Sequence, residues 1–593
     1  MRPIRLSVLL LIYLVAMSSG RVQADDVKKD GAASQTSKTV TLARLKLKED
    51  FPEGPAAAGL FGDLQPRLRD VIDRLDKAAK DSKISGVVLE LRDPEIGLGK
   101  VAELRDAISR VRKAGKKVYA DVHSATSKDY LIASACTEIV MPPSGGLMVT
   151  GLQAQVAFFK GLFDKLGIKA DLIQIGDFKG AAEPFVRSEM SPEFRKQFEA
   201  VIGDYYQQMV KSIAEDRKLD PQRVKELIDE GLFTAARAKE VKLVDRVCYE
   251  DELADQLKSE LKAEQLVFQK DYGKKEIDTD FSGFTGFMKL MEVMMGKPQD
   301  SKTSRAPKIA VVYAVGPITT GDGGGGLFGG AGAGSDTIIK ALRKAEKEDN
   351  VKAIVLRVDS PGGSALASDL MWREIVRAKK PIVASMGDTA ASGGYYISMG
   401  ADKIFAEAGT LTGSIGVVGG KLALKGLFDK IGINTEVIKR GKISGALTST
   451  DPFTPEEREA WKRVMSDIYR QFTTKAAEGR KMDIKKLEGL AAGRLFTGQM
   501  AAANGLVDKV GTLQDAIAEA KKLAGIKAED KVDLLILPQP KSFFEQLFEG
   551  PSVESETESL APQLLGPLKA ADTLRRLFTE PAVAILPFYV EFK

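Results

Sequence analysis

Histidine is nearly absent: His123 stands alone in 593 residues, beside only two cysteines, Cys136 and Cys248. A many-histidine metal site and a four-cysteine zinc site are therefore excluded, and neither a metal nor another cofactor is expected. A Ser-His-Asp triad would have to use His123. The cysteine spacing fits no disulfide framework, so both thiols are expected as small core residues. Charge of one sign is lacking too: 87 Lys and Arg face 82 Asp and Glu. Arg2, Arg5 and Arg21 fall in the first 24 residues without an acid, which leaves 84 against 82 and no footprint for a nucleic-acid partner. Long apolar runs are scarce. The run from Leu6 to Met17 is short for a bilayer span, follows Arg2 and Arg5, and precedes Val22-Gln23-Ala24. Residues 1–24 thus read as a signal peptide or an N-terminal anchor, and the rest as exported. With 44% hydrophobic and 28% charged residues, what remains is too apolar for disorder and too long for one core.

What is present is an architecture written twice. Lys160-Gly161-Leu162-Phe163-Asp164-Lys165-Leu166-Gly167-Ile168 returns as Lys425-Gly426-Leu427-Phe428-Asp429-Lys430-Ile431-Gly432-Ile433, a shift of 265. Gly59-Leu60-Phe61-Gly62 returns at Gly326, a shift of 267, and Leu232-Phe233-Thr234 at Leu495, a shift of 263. Drift of this kind is what small loop insertions leave in a duplicated domain. Within each copy short β-branched runs alternate with amphipathic stretches, as in Ile354–Val358, then Leu366–Val376, then Ile382–Ala384. The pattern predicts an α/β fold of βαβ units with parallel strands. Leu366, Leu370, Met371 and Ile375 are expected to face the sheet. The copies span 40–270 and 308–538, with a linker at 271–307 and a tail at 539–593. In the linker, Phe281–Met295 has the spacing of a helix rich in Met and Phe, expected to pack on its own domain, with a membrane-surface or subunit contact as the alternative. The glycine-rich run 321–334 is expected to be a mobile loop and lacks the ending of a phosphate loop.

Chemistry is expected at two glycine turns of the second copy. A strand over Ile354–Val358 ends at Asp359-Ser360-Pro361-Gly362-Gly363, and the next leads into Ala391-Ser392-Gly393-Gly394-Tyr395-Tyr396. Small neighbours leave Ser392 free to act as a nucleophile, and the amides of Gly363 and Gly393 could form an oxyanion hole. His123 aligns with Asp388, away from these turns, and is expected in a structural place. A lysine desolvated among apolar groups is the remaining base. Lys179, in Gly176-Asp177-Phe178-Lys179-Gly180-Ala181-Ala182-Glu183-Pro184-Phe185, is the candidate. The shift of 265 sets Ser444 opposite Lys179 and Ser127 opposite Ser392. The copy with the glycine-flanked serine therefore lacks the lysine, and a complete site needs one group from each. Ser127 pairing with Lys179 as a second dyad is the alternative, weakened by the missing glycine turn.

These motifs, with Thr410-Leu411-Thr412-Gly413-Ser414-Ile415-Gly416, resemble the signal peptide peptidase A (protease IV) family in its long, duplicated form. The resemblance covers nearly the whole chain. It implies two tandem copies of a ClpP/crotonase-like spiral and a Ser392–Lys179 dyad, with Ser414, 22 positions past the serine, hydrogen-bonding the lysine. It further implies oxyanion donors at Gly363 and Gly393, and a homo-oligomer, a tetramer, exported or membrane-associated on the periplasmic side. The implied substrates are cleaved signal peptides and other unfolded apolar peptides. A crotonase-like acyl-CoA enzyme and a non-catalytic peptide-binding scaffold are the competing readings.

Overall fold

The computed structural model describes residues 38–55, 67–274, 306–323, 332–539 and the backbone of 583–585. The N-terminal segment 1–24, the Phe281–Met295 stretch and most of the tail lie outside the described residues. The first copy supplies β1 (Thr39–Asp50), β2 (Gly86–Glu95), α1 (Leu98–Lys113), β3 (Lys117–Val122), β4 (Glu138–Met141), α2 (Lys160–Leu166), β5 (Lys169–Ile175), α3 (Pro192–Arg217), β6 (Arg246–Val247) and β7 (Gln265–Gln269). The second supplies β8 (Lys308–Val315), β9 (Val351–Ser360), β10 (Gly362–Ser364), α4 (Ala365–Arg377), β11 (Ile382–Ala391), α5 (Gly393–Ser398), β12 (Lys403–Ala406) and β13 (Val417–Ala423). It continues with α6 (Lys425–Ile431), α7 (Pro455–Gly479), β14 (Lys509–Val510) and β15 (Asp533–Leu537), and β16 (Val583–Ile585) follows.

Six strands of each copy pair in parallel in the same order. The strand order is β7-β1-β2-β3-β4-β6 in the first and β15-β8-β9-β11-β12-β14 in the second. Val, Ile and Leu fill both faces of β9, so Ile354, Val355, Leu356 and Val358 are all fully buried, as a sheet covered on both sides requires. In α4, capped by the Ser364 hydroxyl accepting from the Ala367 amide, the buried stripe is Ala367, Ser368, Met371 and Ile375. The face expected from the sequence was rotated: Leu366 is 60% and Leu370 44% exposed. Small residues lead because the helix sits against the serine turn; a Cβ placed on Gly393 would stand 2.6 Å from the Ser368 hydroxyl. In the glycine-rich run the two ends are pinned, the Gly332 amide donating to the Gly323 carbonyl, and residues 324–331 lie outside the described residues.

The copies are joined by a third sheet and by buried charge. In the third sheet β13 of the second copy pairs antiparallel with β5 of the first, from Val417↔Ile175 to Ala423↔Lys169. Elsewhere Arg357 on β9, fully buried, meets Glu53 at 2.6 Å and Glu103 on α1 at 3.0 Å. Burial and the neighbouring Glu103 push the Glu407 carboxyl well above the usual range. The N-terminus of α1 docks on the second copy through Lys100, whose amide donates to Asp388 and whose ammonium lies 3.1 Å from the same carboxylate. Removing the cation from such a cluster leaves acids buried without a partner. Arg357→Met is expected to lower unfolding free energy by about 3–5 kcal/mol, read from chemical denaturation beside wild type.

Candidate active site

Ser392 stands between β11 and α5 with φ 56 and ψ −111, a left-handed conformation that a non-glycine residue adopts at a cost of order 1–3 kcal/mol. The strain is held by its surroundings. Its amide donates to the Gly413 carbonyl at 2.8 Å, and its carbonyl accepts from the Tyr396 amide at 2.8 Å. Glycine at 393 and 394 lets three backbone segments converge: a Cβ on Gly394 would lie 2.7 Å from the Ser360 carbonyl oxygen, and one on Gly393 would lie 3.2 Å from the Gly363 nitrogen. Gly363 itself has no room for a side chain, since a Cβ there would meet the Ile318 carbonyl oxygen at 2.0 Å. The turn after β9 and the turn after β11 therefore meet beside the serine, with the Gly363 and Gly393 backbones adjacent.

Lys179 arrives from the other copy. β5 ends at Ile175, Gly176 turns the chain at φ 109, and Lys179 opens a short 3₁₀ turn over Gly180–Ala182. Its side chain is 1% exposed. The ammonium nitrogen donates to Ser392 Oγ at 2.7 Å, to Ser414 Oγ at 2.8 Å and to the Ser414 carbonyl at 3.1 Å. Burial alone lowers its pKa from the ordinary lysine value to about 7. The structure thus brings together Ser392, Lys179, Ser414, Gly363 and Gly393. It separates Ser127, whose buried hydroxyl donates to the Gly151 carbonyl at 3.3 Å. His123 is exposed near Asp121, and both cysteines are buried and free.

Other contributors were not found from the sequence. Gly493, at φ 83, lies against the lysine so closely that a Cβ would fall 2.4 Å from the Lys179 nitrogen. Arg494 covers the Phe178 ring at 3.6 Å, and its carbonyl accepts from the Ser414 amide at 2.6 Å. The one available signal was position: Gly493 and Arg494 immediately precede the repeated Leu495-Phe496-Thr497. Asp359, in the Asp-Ser-Pro-Gly-Gly turn, accepts from the Thr389 amide and has its carboxyl raised to about 6 by burial and by Asp388, with Lys100 opposing.

With this geometry in place, comparison with known proteins gives the class and then the family. The peptidase family S49 pattern matches residues 110–264 and 374–527, once in each copy. The chain is 36% identical over 486 residues to a protein named chloroplastic serine protease SPPA from Arabidopsis thaliana, covering 82% of this chain and 69% of that one. It is 30% identical to Protease 4 of Salmonella typhi, covering 80% and 75%, and 29% identical to Protease 4 of Haemophilus influenzae, covering 88% and 84%. A solved ClpP1 mutant from Listeria monocytogenes aligns with a TM-score of 0.24 at 16% identity, over 35% of this chain and 94% of that one. The protein is a protease of α/β fold. It belongs to peptidase family S49, and the acyl-CoA reading falls away.

The lowered lysine pKa has a thermodynamic signature. Between pH 7 and 10 the unfolded chain holds a proton on Lys179 that the folded chain does not, so this residue makes stability rise with pH, by about 1.4 kcal/mol per unit at most. From pH 7 to pH 9, wild type is expected to gain about 2 kcal/mol more than Lys179→Met, measured by denaturant unfolding at both pH values.

Proposed function

We propose that the protein is a serine endopeptidase in which Ser392 is the nucleophile and Lys179 its general base. The observation that carries this is the buried Lys179 amine 2.7 Å from Ser392 Oγ and 2.8 Å from Ser414 Oγ. A neutral amine accepts the Ser392 hydroxyl proton while Oγ bonds to the peptide carbonyl carbon. The developing oxyanion is held by the Gly363 and Gly393 amides, where each donor is worth roughly 10²–10³ in rate. The carbon–nitrogen bond then breaks, and the lysine ammonium protonates the leaving amine. Water then gives a proton to the Lys179 amine as its oxygen bonds to the acyl carbon, the bond from that carbon to Ser392 Oγ breaks, the lysine ammonium returns the proton to Oγ, and the acid product leaves as a carboxylate. Ser414 keeps the lysine aimed at Ser392 through both steps.

The substrate is an extended, apolar peptide, in line with a role in degrading cleaved signal peptides and other unfolded segments in the cell envelope. Support comes from β16, whose backbone lies antiparallel to β10 and to β13, with Gly363 opposite Ala584 and Val418 opposite Val583. A chain lying there has its backbone beside Gly363, and strand addition of this kind requires a segment that is not already folded. Leu366, two residues past β10, offers an exposed apolar neighbour. The proposed location is the exported, periplasmic side, resting on residues 1–24; among the described residues no helix is long and apolar enough to cross a membrane.

Ser392→Ala and Lys179→Ala are expected to abolish hydrolysis of an unfolded apolar peptide equally, because the pair acts as a unit; activity retained in either folded variant would sink the assignment. Since only the unprotonated amine is a base, kcat/KM is expected to rise with pH through about 7 and then level off, whereas a flat profile would leave Lys179 without this role. Deleting 581–593 is expected to lower KM for that peptide with kcat unchanged, as the slot beside Gly363 is vacated.

A further inference from the structure

Ser392 follows an irregularity in its own strand. Val358 on β9 pairs with Met386 on β11, yet the next paired residues are Ser360 and Ala390, so Asp359 alone faces Gly387, Asp388 and Thr389. The extra residues form a bulge, which bends a strand and re-aims what comes after it. Gly362 lies two residues beyond Ser360, and Ser392 two beyond Ala390, so both glycine turns start where pairing resumes. Across the bulge the Thr389 amide donates to the Asp359 carboxylate at 3.0 Å, and the Gly387 carbonyl accepts from the Thr410 hydroxyl at 2.7 Å.

The first copy holds this bulge. α1 starts after Gly97, a cap residue without a side chain, and has no acid in its first turn. Asp388 takes that place: the Lys100 amide donates to its carboxylate at 2.9 Å, and a Cβ on Gly97 would fall 2.3 Å from its carboxyl carbon. A negative charge there is stabilised by the unpaired amides and dipole of the helix N-terminus. A Cβ on Gly99 would fall 2.8 Å from the Gly387 carbonyl oxygen, so the first turn of α1 rests on the bulge itself. The Lys100 ammonium lies 3.1 Å from Asp388 and 3.6 Å from Asp359, one cation between two carboxylates. In the first copy the position matching Asp388 is His123, which is exposed.

We propose that Lys100 is a positioning residue for the reaction: by tying Asp359 to Asp388 it fixes the bulge, and the bulge sets Ser392 against the Gly363 and Gly393 amides. This rests on the reading of Ser392 as nucleophile and adds to it a group that acts through two carboxylates rather than on the serine or its base. The first copy thus serves the second at two points, Lys179 moving the proton and Lys100 holding the aim of the oxyanion donors. Without the cation the two carboxylates repel and the span from Asp359 to Thr389 opens. A displacement of about 1 Å between reacting groups costs on the order of 10²-fold in rate.

The full chain is assayed on an unfolded apolar peptide. Lys100→Met is expected to lower kcat about 10²-fold with KM within about two-fold of wild type. Lys100→Arg, which keeps the charge, is expected to recover most of that loss. In Lys100→Met the rise of kcat/KM with pH is expected to stay at about 7, because Lys179 keeps its surroundings. Asp388→Asn, which keeps an acceptor for the Lys100 amide and drops the charge, is expected to lower kcat in the same way, and it decides the matter if Lys100→Met does not fold by circular dichroism. Wild-type kcat in either folded variant, a loss confined to KM, no recovery in Lys100→Arg, or a pH midpoint that moves would each overturn the proposal. Ser392→Ala and Lys179→Ala are run alongside: activity in either overturns the dyad, whereas two inactive variants beside wild-type turnover in Lys100→Met overturn the role of Lys100 alone.

Discussion

The antiparallel ladder between β5 and β13 is the constraint on which the site depends. The six strands that the two large sheets share are parallel within each copy, and neither sheet alone carries a strand of one copy to the other's glycine turns. The ladder does so, and its register is demanding. Gly420 passes so near its partner that a Cβ would lie 2.3 Å from the Asp171 carbonyl oxygen. A slip of one residue would move Gly176 by about 3.3 Å and turn Ile173 from its buried face to the opposite one. That displacement exceeds the 2.7 Å between Lys179 and Ser392, so register and chemistry are one specification.

Two lysines between the copies show how the interface sets charge. Lys100 and Lys179 both lie between the copies, and desolvation acts on each in the same direction. Beside Lys100, Asp388 and Asp359 more than offset it and the amine is held charged. Beside Lys179 the partners are hydroxyls and a carbonyl, so desolvation prevails and the pKa falls to about 7. One lysine thus fastens the copies together while the other has a proton it can exchange near neutrality.

Much of this was legible because it rests on repetition and on small residues. The recurring shift of 263 to 267 anticipated two copies of one α/β domain, and near-absence of histidine turned the search for a base to Lys179. Close backbone approach leaves a mark in sequence as paired glycines, which is why Gly363 and Gly393 could be named. Buried charge leaves no such mark: Arg357 and Glu103 read like any solvated residues, since their burial follows from how the copies dock. Leu366 and Leu370 misled because periodicity gives the width of an apolar face and not its phase against a neighbouring turn. Gly493 carried no motif, and β16 lay in a tail whose composition said little.

The distance along the chain between the two residues of the proposed dyad has a consequence in time. Lys179 belongs to the copy that is synthesised first, and Ser392 and Ser414 follow more than two hundred residues later. A chain arrested before Ser392 lacks both hydroxyls that face Lys179 and the Gly493 backbone that lies against it, so the amine has neither its partners nor that cover. On the proposed mechanism a nascent chain is thus born without cutting power and acquires it only once the second copy has folded against the first.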